Sequence, residues 1–98
     1  MYYIRISGYI PPEKVNEFKI TADSCFASWK QRSEDLNFSK DLIYSDLCHY
    51  QSTWKDLDTY LDFLKSEDFK ILQGCFRVLG SLSKVSHGEM IADEGIDQ

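Results

Sequence analysis

Arg5 is a lone cation inside the run "YYIRISGYI", Tyr2 to Ile10. A guanidinium there suits an anionic substrate or a developing enolate, or else a carboxylate at a subunit seam. His49 and His87 are the only histidines. Imidazole changes charge near neutrality, so each is a candidate general base. They fall on different expected strands, with no ligand spacing to a cysteine or carboxylate, so no metal site is implied. Trp54 and Tyr60 each join a large apolar ring to one polar atom. The indole can anchor a helix on a sheet or reach a cavity. The phenol can reach a substrate or snorkel to water. Cys25, Cys48 and Cys75 form no C-x-x-C pair and are odd in number. That fits a reduced chain, and Cys25 and Cys75 sit on helical stripes as small hydrophobes.

The elements that must hold these residues can be read from periodicity. Tyr2 to Ile10 alternates with period two, which predicts a strand. One side carries Ile4 and Ile6; the other carries Tyr3, Arg5, Ser7 and Tyr9. Gly8 suggests a bulge or a close backbone approach. "IPPEK" ends this strand and opens a helix, since Pro12 suits a first turn and Glu13 its dipole. Val15, Phe18, Ala22, Cys25, Phe26 and Trp29 then draw one stripe, ending in "KQRSED". Leu36 to Ser45 reads as a second strand, with Phe38, Leu42 and Tyr44 on one side. A tight turn near Asp46 leads to a third strand ending at Trp54, with Cys48, Tyr50, Ser52 and Trp54 on one side.

Asp56 and Ser66 are successive helix caps. Leu57, Tyr60, Leu61 and Leu64 form the first stripe between them. Phe69, Leu72, Phe76 and Leu79 form the second, backed by Ile71, Cys75 and Val78. Gly80 ends the helix, "KVSHGEMIA" predicts a last strand, and residues 93–98 read as a frayed acidic tail. Residues 1–92 thus form one domain. The order is the split β-α-β pattern of ferredoxin-like folds: an α+β βαββαβ chain, a four-stranded antiparallel sheet and helices on one face. The other face would leave Tyr3 and Tyr9 in water, so a homodimer with two sheets face to face is expected.

Charge narrows the partners. Eleven basic residues against 16 acidic ones leave a net charge of -5, which argues against nucleic acid and against an anionic membrane surface. No run approaches the roughly 20 apolar residues of a membrane span, and the start lacks the apolar core of a signal peptide. A cytoplasmic location is expected.

The stretch "TWKDLDTYLDFLKSEDFKIL" resembles the antibiotic biosynthesis monooxygenase family of dimeric α/β-barrel proteins. There a strand ends in Trp, a cap follows two residues later, and Ser-x-x-Phe opens a further helical segment. Trp54, Asp56, Leu57, Leu61, Ser66 and Phe69 match in order, and "YIPPEKVNEF" is similar to the family's first strand-to-helix passage. The resemblance implies a cofactor-independent monooxygenase acting on a small aromatic or polyphenolic substrate, such as a quinol or anthrone. The protein would deprotonate it in an apolar cavity and stabilise an oxyanion. It implies catalytic roles for Trp54 and Tyr60, with His49 or Arg5 assisting, and a cavity lined by Phe69, Gln73 and Tyr50.

Two departures bear on this. Tyr50 stands where oxygenase relatives often carry Asn. Gln73 falls near the axial His of haem-degrading relatives, and an amide is a poor iron ligand, so no cofactor is expected. The alternative is a non-catalytic, small-ligand-binding or regulatory homodimer of the same fold. The oxygenase reading needs an apolar cavity between sheet and helices with Trp54 and Tyr60 pointing into it. A filled interior would make the Trp a packing anchor.

Overall fold

A computed structural model describes residues 1–91. The expected acidic tail lies outside the described residues. The chain runs β1 (Tyr2–Tyr9), a 3-10 turn (Pro12–Lys14), α1 (Val15–Phe26), β2 (Asp35–Lys40), β3 (Leu47–Trp54), α2 (Leu57–Leu64), α3 (Glu67–Leu79) and β4 (Ser81–Glu89). The four strands form one antiparallel sheet in the order β2-β3-β1-β4. This is the ferredoxin-like fold, its second helical passage broken in two.

The break follows from two caps. The Asp56 carboxylate accepts the Thr59 N–H at 3.0 Å, and the Ser66 hydroxyl accepts the Phe69 N–H at 3.2 Å. Each satisfies one donor that a helix start would otherwise leave bare. Ser66 also donates to the Phe63 carbonyl at 2.7 Å, tying the end of α2 to the start of α3.

The core lies between helices and sheet. Ile4 and Ile6 of β1 and Cys48, Tyr50 and Trp54 of β3 are buried against Phe18, Ala22 and Phe26 of α1, Phe63 of α2, and Leu72 and Phe76 of α3. Gly8 fits both expected roles. The β1–β4 register shifts between Ser7 and Gly8. A Cβ on Gly8 would also overlap the Phe76 ring and the Ser81 carbonyl oxygen.

Several expectations need correction. The second strand stops at Lys40 instead of running to Ser45. The Asp41 carboxylate accepts the N–H groups of Ile43 and Tyr44, both at 2.9 Å, which turns the chain and leaves Leu42, Ile43 and Tyr44 exposed. The helix α1 ends at Phe26, and Trp29 is buried from the turn beyond it. On α2 the buried pair is Tyr60 and Phe63, while Leu57 and Leu61 face outward. On α3 Ile71 and Val78 are exposed and lie outside the buried stripe of Phe69, Leu72, Cys75 and Phe76. The last strand begins at Ser81, three residues earlier than "KVSHGEMIA" suggests.

Candidate functional site

Period two divides the candidate residues between the two faces of the sheet. Tyr50 and Trp54 point to the helices. Arg5 and His49 point to the open face, because Arg5 pairs with Gln51 and Ser7 with His49 in the β1–β3 register. The strand β4 brings His87 to the helix side opposite Ile4. The proposed catalytic set therefore divides into two groups with the sheet between them.

On the helix side, Trp54 is fully buried. Its ring centroid lies 5.1 Å from Phe63, 5.7 Å from Phe26 and 6.1 Å from Trp29. Its indole N–H donates to Ser52 Oγ at 3.0 Å, so its one polar atom is already paired. Tyr50 is a core residue as well, its hydroxyl 3.5 Å from the Ala22 carbonyl. Burial holds that phenol far above its ordinary pKa, so it stays neutral. Phe69 packs on Phe63 at 5.5 Å. Gln73 is half-buried on α3. With Trp54, Phe18, Phe26, Phe63 and Phe76 fully enclosed, side chains fill the layer where the expected cavity would lie.

Tyr60 is placed differently. Its ring stacks on Tyr2 with centroids 5.0 Å apart, and its hydroxyl shares a 2.8 Å hydrogen bond with His87 Nδ1. Desolvation first, then the neighbouring Tyr3 and Tyr2, pushes the phenol's pKa up. A protonated phenol bonded to a surface imidazole is an acid–base pair at the rim of the core. His87 was legible as a candidate general base from its residue type. Its pairing with Tyr60 was not, because it depends on the β1–β4 register.

On the open face, a depression of about 340 Å³ is lined by Arg5, Ser7, His49, Ser83, Lys84 and Ser86, with Leu47 at its edge. His49 Nδ1 lies 2.8 Å from Ser7 Oγ, and its Nε2 lies 3.4 Å from Asp41 Oδ1. A hydroxyl, an imidazole and a carboxylate in sequence can relay a proton. Ser7 sits on β1, however, a central strand paired on both sides. The backbone beside it is committed to the ladder, so it does not form the backbone oxyanion hole that an activated serine uses. The chain of bonds orients the wall of the depression. Arg5 contributes a guanidinium that donates to Gln51 Oε1 at 3.4 Å.

Sequence reasoning missed Ser7, Asp41, Ser83, Lys84 and Ser86 as site residues. The shared parity of Arg5 and Ser7 could have flagged one of them. A second depression, about 360 Å³, runs between α1 and α3 on the outer side of the helices, lined by Thr21, Ile71, Cys75 and Val78 among others. Among the described residues no three His, Cys, Asp or Glu side chains gather to hold a metal ion, and no helix is long and apolar enough to cross a membrane.

No family model matches the sequence, and no curated protein matches it. Solved structures do. A protein from Caulobacter crescentus, described only provisionally as an antibiotic biosynthesis monooxygenase, superposes with a TM-score of 0.71 at 9% identity, over 93% of this chain and 90% of its own. One from Deinococcus radiodurans, described in the same way, gives 0.66 at 13% identity, over 94% and 97%. A Bacteroides thetaiotaomicron protein of unknown function, described as a possible oxidoreductase, gives 0.68 at 12% identity, over 91% and 96%. The chain has the fold of the antibiotic biosynthesis monooxygenases along nearly its whole length.

Proposed function

We propose that this chain is a homodimeric, small-ligand-binding domain that keeps the monooxygenase fold without its reaction. The filled layer between sheet and helices carries this reading. Trp54 is fully buried there with its indole N–H spent on Ser52, which leaves no room for an aromatic substrate to stack beside it. The open face supports the dimer. It presents half-buried Tyr3 and exposed Tyr9, apolar area that a second sheet would remove from water. Three buried free thiols support a reducing, cytoplasmic setting. The test is oxygen uptake with hydroquinols and anthrones beside sedimentation at micromolar concentration. The expected result is a dimer with no uptake above the uncatalysed rate. Uptake that falls with Trp54→Phe would overturn the binding reading, and a stable monomer would overturn the dimer.

A second reading has one observation in its favour. The Tyr60–His87 pair, 2.8 Å apart, supports a cofactor-independent monooxygenase in which Tyr60 holds a substrate hydroxyl and His87 takes its proton. In that case turnover with a hydroquinol would be lost in both Tyr60→Phe and His87→Gln.

A further inference from the structure

Helix packing does not account for the depression on the open face. The chain carries a net charge of -5. Yet among the described residues this concavity is lined by Arg5 and Lys84, a histidine and three serines, and by no carboxylate. Among the described residues neither Arg5 nor Lys84 takes part in a salt bridge. Asp41, the acid that contacts this wall through His49, is occupied by two backbone N–H groups and by that imidazole.

The backbone has a local irregularity at this place. Opposite Ser7 and Gly8 the register of β4 slips by one residue, from Lys84 to Leu82. Ser83 is the extra residue, and both Ser83 and Lys84 line the depression, where a regular strand would turn one of them to the helices. Bulges that re-aim a side chain in this way are common beside functional sites.

We propose that this depression binds the oxyanion head of a small metabolite, a phosphomonoester or a carboxylate. Arg5 and Lys84 supply the charge, and the Ser83 and Ser86 hydroxyls donate. Ser7 is held by His49, which in turn is held by Asp41, so this wall keeps its shape. A volume of about 340 Å³ exceeds a bare oxyanion, so the ligand has a body beyond its head. The proposal rests on the ligand-binding reading above and names the ligand class. It also removes a difficulty of the dimer. Two like faces brought together would bury unpaired cations, which is costly unless an anion joins them.

The experiment is calorimetric titration of the full chain at constant ionic strength. The probes are inorganic phosphate, glycerol 3-phosphate and succinate, with glycerol as the neutral control. At least one anion should bind saturably. Arg5→Gln and Lys84→Gln should each weaken it by about tenfold or more, the loss of a charge-assisted contact. Arg5→Lys should recover part of the loss. Lys19→Gln, which removes the same charge from the exposed face of α1, should change binding less than about twofold. Tighter glycerol 3-phosphate identifies a phosphate head and tighter succinate a carboxylate; both support the site. The proposal is overturned by no saturable heat with any probe, by equal binding of glycerol, or by an equal loss in Lys19→Gln. Circular dichroism confirms that the variants fold. Sedimentation of the same samples reports the dimer separately. A monomer that binds the anion keeps the site and removes the seam; a dimer that binds none does the reverse.

Discussion

The two faces of the sheet are made from alternate residues of the same strands, yet they obey different rules. Toward the helices, β1 and β3 present Ile4, Ile6, Tyr50 and Trp54, all buried, with each polar atom that goes in paired before it arrives. Away from them, the same strands present Arg5, Ser7, His49 and Gln51, half-buried and bonded to one another. The first face is specified by volume and the second by charge. On the first face Trp54 and Tyr50 are packed among Phe18, Phe26 and Phe63, which leaves little room for a ligand. The second face, which a ferredoxin-like fold leaves open, holds the concavity with convergent polar groups.

The sharpest way to break this contrast is to truncate one large side chain on each face. Trp54→Ala should cost about 3–5 kcal/mol of unfolding free energy, since it removes a fully enclosed indole and leaves a cavity. Arg5→Ala should stay within about 0.5 kcal/mol, as substitutions away from core features usually do. Urea denaturation measures both. Equal costs would mean that Arg5 is a structural member of the sheet, or that Trp54 stands in a loose pocket after all.

Two serines give a finer version. Ser52 is buried and accepts the Trp54 indole N–H, so Ser52→Ala strands a buried donor and should cost about 1–3 kcal/mol. Ser7→Ala removes a hydroxyl whose partner, His49, still reaches Asp41, and should cost less than about 0.5 kcal/mol. A cap comes next in size. Ser66→Ala should cost about 1 kcal/mol and loosen the junction of α2 and α3, visible as faster exchange of the Phe69 amide.

The helix face was largely legible from residue spacing. The β1 and β3 alternations, the α1 stripe as far as Phe26 and both caps hold, because each depends on neighbours within a few residues. The errors have local causes that apolar counting does not register. On α2, Leu57 and Leu61 share the periodicity of Tyr60, but Tyr60 and Phe63 are the pair that is buried, with Leu64 packed at the edge of the core. After Lys40, apolar Leu42, Ile43 and Tyr44 imitate a strand, and a single carboxylate at Asp41 turns the chain instead. The open-face depression was the least legible part. It requires β1, β3 and β4 in register plus one slipped residue at Ser83, and nothing in the spacing of Arg5, His49 and Lys84 announces that they meet.

The smallest expected effect separates the faces by pH. The Asp41 carboxylate accepts N–H bonds from Tyr44 and Ile43, and His49 adds a third contact. All of these favour the charged form, with the backbone bonds foremost, so its pKa is lowered from the ordinary value. The folded value therefore lies below the unfolded one of about 3.9. The stabilisation is complete above that unfolded value and is lost as pH falls through the folded value. Because Leu42 to Tyr44 bury little, this loop should be released by acid before the core is. The amide resonances of Ile43 and Tyr44, followed from about pH 6 to about pH 2, should move in the strongly acid range. The Trp54 indole N–H, bonded to a non-titrating hydroxyl, should hold its position over the same interval. In Asp41→Asn the loop resonances should show no such step. If the indole signal moves with the loop, the two faces unfold as one unit, and the open face owes its shape to the core instead of to its own charges.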